Sequence, residues 1–184
     1  MELISYIGGQ VEILDIYSKH RIKTGETHER WQKQPTGDYY LVVFIAVFNS
    51  ASQMLIQQRQ PFKSAWSGLW DITAGGAAAS GDTSQKAAER ELFEEVGITV
   101  DFSATTPHFT INTDRTFCDF YLHQKDVDID GLKLSYDEVA QVKWATKEEI
   151  LFMIKDGNFV PYQEGLIELC FSLIKRRRTL RYDM

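Results

Sequence analysis

The first half of the chain alternates between apolar runs and short polar turns, a pattern typical of β-strands. Residues 11–18 alternate polar and apolar side chains, and a polar segment follows at 19–38. Residues 39–48 form a nearly continuous apolar run, which predicts a strand buried on both faces. A second strand is predicted at 53–59, and the loop at 61–76 is expected to end in another short strand.

The period of the pattern changes at residues 84–96, which contain no Gly or Pro and are rich in Ala, Glu, Gln and Leu. This composition favours a helix, which Asp82 or Thr83 can cap at its start and Gly97 can end. Shorter strand candidates follow the helix. They are residues 98–102, 108–112, 116–123 and 139–145.

Two more helices are predicted near the end of the chain. Thr146 and Glu149 have the spacing of a capping box, which places a helix start at Thr146. The last helix is expected from about Tyr162 to Lys175, within the segment 160–180. Many strands with few helices predict an α+β fold, a mixed β-sheet sandwiched between helices.

Composition and charge exclude several classes of protein. The 184 residues suit one domain, which we divide into an N-terminal extension with strands (1–37), a core (38–157) and the C-terminal helix. A net charge of -6 disfavours general nucleic-acid binding and makes metal cations the expected bridge to any phosphate substrate. No apolar run approaches the roughly 20 residues of a membrane span, so we expect a cytoplasmic protein without a membrane partner.

Three carboxylates crowd into the predicted mid-chain helix at Glu91, Glu94 and Glu95. At about 100° per residue they share one face of the helix, beside an apolar stripe. Like charges this close repel each other, and the helix dipole disfavours anions near its C-terminal end. A hard divalent cation would reverse this balance. The alternative is a solvated acidic face neutralised by Arg90 or Lys86.

A longer motif contains this triplet of carboxylates. Gly76 opens the motif, Asp82 takes its first acidic position, and the segment RELFEEVGI (90–98) closes it. The spacing resembles the Nudix box, and the likeness extends over residues 11–160. The box positions are Gly76, Asp82, Arg90, Glu91, Glu94, Glu95 and Gly97. The family usually has Glu where this chain has Asp82, so the sequence leaves open whether the shorter side chain reaches Arg90.

The resemblance to the Nudix family implies a metal-dependent hydrolase of a diphosphate linked to another group, with a nucleoside diphosphate derivative as the expected small-molecule substrate. It implies Mg²⁺ or Mn²⁺ held by Glu91, Glu94 and Glu95, with the Gly75 carbonyl as a further ligand. It gives Arg90 the role of orienting these carboxylates through charge-assisted hydrogen bonds. The family fold is a mixed sheet between helices, with the box as loop, helix and loop.

The resemblance also implies a catalytic set of Arg90, Glu94 and one acid outside the box. Glu138 is the candidate for this outer acid, acting as base or ligand, and Asp137 is the fallback. The alternative interpretation of Glu138 is a surface acid in a turn.

The stretch LIQQRQPFKSAWSGLWDITAGG resembles the branch that includes isopentenyl diphosphate isomerases. Those isomerases carry a catalytic Cys in the strand before the box, and the corresponding residue here is Ala74. Hydrolysis is therefore expected, with isomerisation or a Nudix-type binding module without turnover as the alternatives. Arg59 and Lys63 could bind phosphate or could be solvated loop cations. The N-terminal extension could contribute to a homodimer.

Overall fold

The described part of the chain folds around a seven-stranded mixed sheet with helices on both faces. A computed structural model describes residues 12–30 and 32–175. The strands are β1 Ile13–Tyr17, β2 Lys23–Glu29, β3 Tyr40–Phe48, β4 Met54–Arg59, β5 Trp70–Asp71, β6 Ala74–Ala77, β7 Phe109–Asn112, β8 Thr116–Gln124 and β9 Val139–Ala145. The helices are α1 Ser84–Val96, α2 Lys147–Lys155 and α3 Glu164–Lys175, with a short 3₁₀ helix at Ile129–Gly131. The predicted α+β class is confirmed.

Strand β3 lies at the centre of the sheet because it pairs along both of its edges. It runs parallel to β8 along its whole length, and antiparallel to β6 between Val42 and Ile45. Strand β4 meets β3 at its end and pairs mainly with β9 and β5, while β7 flanks β8. This order places β6, the strand that immediately precedes the box helix α1, against the central strand.

The central strand is apolar throughout because both of its faces are buried. Val43, Ile45 and Val47 belong to a core that contains the apolar residues of α1. Ala46 and Phe48 point to the opposite side and belong to a second core with residues of α2 and α3. Two cores with one sheet between them match the predicted sandwich.

Helix α1 begins and ends at residues that the sequence indicates. The Thr83 hydroxyl accepts a hydrogen bond from the Lys86 backbone N–H at 3.2 Å, so Thr83 rather than Asp82 is the N-cap. Gly97 ends the helix with a φ of 72°, a left-handed conformation that glycine adopts at little cost. The helix therefore holds its carboxylates in a fixed register against β6.

An antiparallel hairpin of β1 and β2 precedes the large sheet. The alternation at 11–18 predicts its first strand, but the second strand lies inside the segment 19–38, which looks like a polar extension. Almost every residue of β2 is exposed, so its side chains show no apolar alternation. Backbone pairing with β1 forms this strand instead. Residues 1–11 of the extension lie outside the described residues.

The predicted strand at 98–102 is wrong. The chain is irregular there, and Ile98 and Phe102 are buried in the core beneath α1. Their apolar character reflects packing of a connection against the helix, without pairing to a neighbouring strand.

The C-terminal helices follow the prediction with small shifts. The capping box of Thr146 and Glu149 is present at the start of α2, and α3 begins at Glu164 rather than Tyr162. The positions 176–180 of the predicted last helix lie outside the described residues. Across 12–30 and 32–175, no helix is both long and apolar enough to cross a membrane.

Candidate active site

Helix α1 packs on strand β6 at a point where the strand has no side chains. Gly75 and Gly76 form this stretch, and a Cβ atom on Gly76 would lie only 2.5 Å from the Glu91 carboxyl group. Real Cβ atoms do not approach other atoms so closely, so glycine is what lets the Glu91 carboxylate lie on the strand. The first position of the box therefore determines where one of its carboxylates can lie.

Arg90 connects the loop before α1 to two carboxylates of the helix. Its Nε lies 3.3 Å from Asp82 Oδ2, and its Nη1 donates to Glu91 Oε1 at 2.8 Å and to Glu94 Oε2 at 3.1 Å. Its Nη2 donates to the Ala77 carbonyl at 3.0 Å. The shorter Asp82 side chain thus reaches Arg90. Burial alone would lower the pKa of Arg90, but Glu91 and Glu94 outweigh it and keep the guanidinium charged.

The three predicted metal ligands lie in different environments. Glu91 and Glu95 are buried, with 8% and 5% of their surface exposed, whereas the Glu94 side chain is 57% exposed. Glu95 accepts hydrogen bonds from the Gln57 side chain and, at 3.4 Å, from the Gly75 N–H. Burial raises the pKa of Glu91 to about 7 despite Arg90. Burial, and then the nearby Glu91, raises the pKa of Glu95 well above its ordinary value.

The chemistry of these groups fits a hard divalent cation. Two buried carboxylates whose pKa values are raised by burial lack sufficient compensating charge, and oxygen ligands are what such cations prefer. Within 12–30 and 32–175, no three His, Cys, Asp or Glu side chains converge into a ready metal cluster. Arg90 is paired with Glu91 and Glu94, and Glu95 faces Gln57. Binding of a cation would therefore require these side chains to rearrange.

Glu138, the candidate outer acid, lies near Glu95 of α1. It is near enough to Glu95 to raise the pKa of that residue, after burial and Glu91. Its Oε1 accepts from Lys63 Nζ at 2.6 Å, an ion pair that is half-buried. Asp137 is exposed beside it. Lys63 thus lies next to the candidate base and is not part of the cavity lining.

A cavity of 550 Å³ lies against strand β6, with Gly75 and Gly76 in its wall. This volume lies in the range of small-molecule sites. Two cations, Arg30 and Arg59, reach the cavity of this acidic protein. Its aromatic lining consists of Tyr40, Phe44, Trp66 and Tyr162. A ligand in the cavity would contact aromatic rings and guanidinium groups. These groups lie next to strand β6, against which the Glu91 and Glu95 side chains of α1 pack.

The β1–β2 hairpin holds the loop between β6 and α1. Asp15 accepts from the Ser80 hydroxyl at 2.7 Å, from the Gly81 N–H at 3.0 Å and from Lys23 Nζ at 2.6 Å. Lys23 Nζ also donates to the Asp82 carbonyl at 3.1 Å. The hairpin therefore supports the residue that contacts Arg90. We call these contacts of Asp15 and Lys23 the hairpin clamp.

The clamp predicts a specific acid dependence of stability. Burial alone would raise the pKa of Asp15, but the hydrogen bonds from Lys23, Gly81 and Ser80 lower it to about 2. A depressed folded-state pKa stabilises the fold above the ordinary value of 3.8, and this contribution is lost as pH falls through about 2. We expect Asp15→Asn to lower the melting temperature at about pH 5, and the difference from wild type to narrow at about pH 3.

Asp114→Asn, in the exposed turn between β7 and β8, is the matched control for this titration. A melting-temperature difference for Asp15→Asn that stays constant across this range would contradict the clamp assignment, because only an ionised Asp15 retains these contacts at full strength.

Three acids of structural importance were not singled out from the sequence. Asp15 belongs to the hairpin clamp, and Asp71 lines the cavity. Asp119, on β8, is fully buried beside the start of α1, where it accepts from the Ser84 hydroxyl at 2.5 Å and from Thr110 Oγ1 at 2.7 Å and forms an ion pair with Arg21. The signal for Asp119 was an acid inside the predicted strand 116–123, a position that requires buried partners.

Ala74 and Cys118 are the residues that bear on the isomerisation alternative. Ala74, at the position of the isomerase Cys, is fully buried in β6 and lines the cavity. Cys118 lies on β8, and its Sγ is 3.2 Å from the Thr116 hydroxyl. In the described part of the chain, the histidines join no group of three metal-ligand side chains.

The fold and the site together define a class of protein in which a loop and a helix place carboxylates on a mixed sheet beside a ligand-sized cavity. A family model described as the NUDIX domain matches residues 38–168. The chain is also 41% identical over 152 residues to a Nudix hydrolase of Listeria monocytogenes, covering 83% of this chain and 90% of that protein. The chain belongs to the Nudix family and is a Nudix hydrolase.

Other relatives confirm the fold and the branch. An isopentenyl-diphosphate Delta-isomerase of Pectobacterium atrosepticum is 31% identical over 129 residues, which cover 66% of this chain and 70% of that protein. The crystal structure of DR0079 from Deinococcus radiodurans superimposes with a TM-score of 0.71 at 24% identity, over 86% of this chain and 99% of that one. As a class, Nudix hydrolases cleave pyrophosphate bonds of small-molecule substrates and generally use divalent metal ions.

Proposed function

We propose that this protein hydrolyses a diphosphate linked to another group, with a nucleoside diphosphate derivative as its substrate and Mg²⁺ or Mn²⁺ as its cofactor. The observation that carries the proposal is the position of two buried carboxylates, Glu91 and Glu95, against the same glycine strand that forms a wall of the cavity. A substrate in this cavity would bring its diphosphate next to the carboxylates of α1.

In this proposal the cation is held by Glu91, Glu94 and Glu95, with the Gly75 carbonyl as a further ligand. When bound, such a cation polarises phosphoryl oxygens and lowers the pKa of a coordinated water. Glu91 and Glu95 supply charge from buried positions, while the exposed Glu94 can turn toward a ligand once it leaves Arg90. Arg90 keeps the box carboxylates close together and anchors them to Asp82.

The proton of the attacking water requires an acceptor within hydrogen-bonding reach. Glu138 is our first candidate for this base because it lies near Glu95 and is held by Lys63. Glu94 is the second candidate because it is the most accessible carboxylate of the box. Lys63 would limit the mobility of Glu138 and offer positive charge near the diphosphate.

The lining of the cavity supports a nucleoside rather than a purely aliphatic leaving group. Flat rings are well suited to stack on the aromatic side chains Tyr40, Phe44 and Trp66. Arg59 offers guanidinium donors to phosphate oxygens, and Arg30, which is paired with Glu12, adds positive charge at the cavity. An isoprenoid diphosphate offers no aromatic ring, and Ala74 cannot replace the thiol of an isomerase. Isomerisation and binding without turnover remain the second and third candidates.

A panel of diphosphate compounds tests the proposal. Phosphate release, coupled to a phosphatase where needed, would be followed for nucleoside diphosphate sugars, dinucleotide coenzymes, oxidised nucleoside triphosphates and isopentenyl diphosphate. Each reaction would be run with Mg²⁺, with Mn²⁺ and with chelator. We expect cation-dependent hydrolysis of at least one nucleotide and no hydrolysis or isomerisation of isopentenyl diphosphate. Isomerised product would favour the isomerase alternative. Tight metal binding without turnover of any compound would favour a binding module.

A further inference from the structure

Three side chains from separate elements meet at one wall of the cavity. Arg59 ends β4, Asp71 ends β5, and Tyr162 lies just before α3, and all three line the cavity. Tyr162 Oη donates to Asp71 Oδ1 at 2.7 Å. Arg59 Nη1 lies 3.6 Å from Asp71 Oδ2, and Arg59 Nε donates to the Ala65 carbonyl at 3.1 Å. We call this group the Arg59 cluster.

Burial of the ionised Asp71 carboxylate in this cluster costs free energy. The Asp71 side chain is only 12% exposed, and burial raises its pKa against the opposing effects of Tyr162 and Arg59. The pKa of Tyr162 is raised well above its ordinary value, first by burial and then by Asp71, so its hydroxyl stays a proton donor. A buried acid seldom stabilises a fold more than an apolar side chain of similar size would. Its location at a ligand cavity suggests that it serves binding.

The Arg59 guanidinium is fixed in place by contacts that occupy only some of its N–H donors. A guanidinium carries five N–H donors in a planar fork, and the contacts to Ala65 and Asp71 leave other donors for a ligand in the cavity. The 3.6 Å separation from Asp71 is longer than the roughly 2.7–2.9 Å of a charge-assisted hydrogen bond. Asp71 therefore orients the guanidinium by charge and leaves hydrogen-bonding capacity for a phosphate.

We propose that Arg59 binds a phosphoryl group of the substrate, and that Asp71 and Tyr162 are positioning residues that fix its guanidinium toward the cavity. This assignment rests on the proposed function, because the anion is a phosphate of the diphosphate substrate. Tyr162 fixes Asp71, Asp71 fixes Arg59, and Arg59 contacts the ligand. The cavity lies close to the box carboxylates, because its lining includes Gly75, whose N–H donates to Glu95 Oε1 at 3.4 Å.

The direction in which Asp71→Asn changes phosphate binding shows whether Asp71 positions Arg59 or acts only through its charge. Asp71 is an anion beside a site for an anion, so removing its charge should by itself strengthen phosphate binding. If Asp71 positions Arg59, Asp71→Asn should instead weaken binding. We expect its KM to rise about 5- to 20-fold with kcat nearly unchanged, and Arg59→Ala to raise KM about 10- to 100-fold. In the Arg59→Ala background, Asp71→Asn should leave binding unchanged or strengthen it.

The experiment is a double-mutant cycle of Arg59→Ala and Asp71→Asn, with KM and kcat measured on the compound that the wild type hydrolyses. Tyr162→Phe, which keeps the ring and removes the hydrogen bond, repeats the test if Asp71→Asn is poorly folded. Arg115→Ala removes the same charge from the exposed turn between β7 and β8 and is the matched control. Melting temperatures identify variants whose loss is structural.

Direct binding separates failure of this inference from failure of the proposed function. Methylenediphosphonate, which cannot be hydrolysed, would be titrated by calorimetry into wild type and variants at fixed Mg²⁺. If no compound is turned over but the probe binds Arg59→Ala and Asp71→Asn more weakly than wild type, the phosphate site stands and the proposed reaction fails. If Asp71→Asn binds as tightly as wild type or more tightly, or if its effect is additive with Arg59→Ala, the inference is overturned.

Discussion

Glu95→Gln is expected to lower kcat by more than about 100-fold while the protein keeps its fold. Loss of residues that only support metal ligands already costs about 10- to 100-fold in activity or affinity, and Glu95 is proposed as a ligand itself. Gln has the same shape and can still accept a hydrogen bond from Gln57 or Gly75. Because burial disfavours the charged form of Glu95, the neutral variant should melt at the same temperature or higher near pH 8.

The measurement compares turnover, circular dichroism and the Mg²⁺-induced shift in melting temperature for wild type and variant. Glu89→Gln on the same helix is the matched control, because Glu89 accepts a hydrogen bond from the Phe102 N–H and takes no part in the site. Unchanged turnover in Glu95→Gln would refute the assignment of this carboxylate. If Glu95→Gln loses both turnover and the circular dichroism spectrum of the folded protein, the same measurements on Glu91→Gln would test the carboxylate site.

Gly76→Ala is expected to reduce kcat/KM by about 100-fold, the effect of a displacement of roughly 1 Å at a reacting group. The added Cβ would lie 2.5 Å from the Glu91 carboxyl group, so this carboxylate must move away from the strand. The obstacle is the end of a flexible side chain, and stability should therefore fall by only about 1 kcal/mol, the lower end of overpacking costs. Activity and stability should thus separate in this variant.

Gly165→Ala is the control, because it adds the same methyl group at a position away from the site. It lies in α3, and a Cβ there would meet no atom within 4 Å. It should leave turnover unchanged and raise stability slightly, because Ala favours the helix. The prediction for Gly76 fails if Gly76→Ala retains wild-type kcat/KM, since that result would mean that Glu91 does not act from its place on β6.

The box was predictable because its signals are local in sequence. Helix α1, its Gly97 end and the single face of Glu91, Glu94 and Glu95 follow from spacing within a short segment. The contact of Asp82 with Arg90 did not follow, because it depends on the path of the loop that joins them. The pairing of Arg90 with Glu91 and Glu94 agrees with the role that the resemblance gives to Arg90, and its contact with Glu94 is an i,i+4 pair along the helix.

The residues that the sequence did not reveal act through contacts between distant segments. Strand β2 has no apolar alternation, so neither the hairpin nor the place of Asp15 could be predicted. Asp71 stands next to a predicted strand, but its partners Arg59 and Tyr162 come from other elements. The segment 98–102 was misjudged for the opposite reason, because apolar residues that pack beneath a helix resemble a short strand.

The hairpin clamp has a consequence for how the box can be transferred or shortened. Asp15 reaches Ser80 and Gly81 across 65 and 66 residues of chain, and it lies outside residues 38–168, which match the NUDIX domain model. In this protein the loop of the Nudix box therefore depends on contacts with the β1–β2 hairpin, which lies outside the box. A chain cut to residues 38–168 would keep every box residue but lose the contacts of Asp15 and Lys23 with the loop before α1. Two proteins with the same box can therefore differ in how rigidly they hold it.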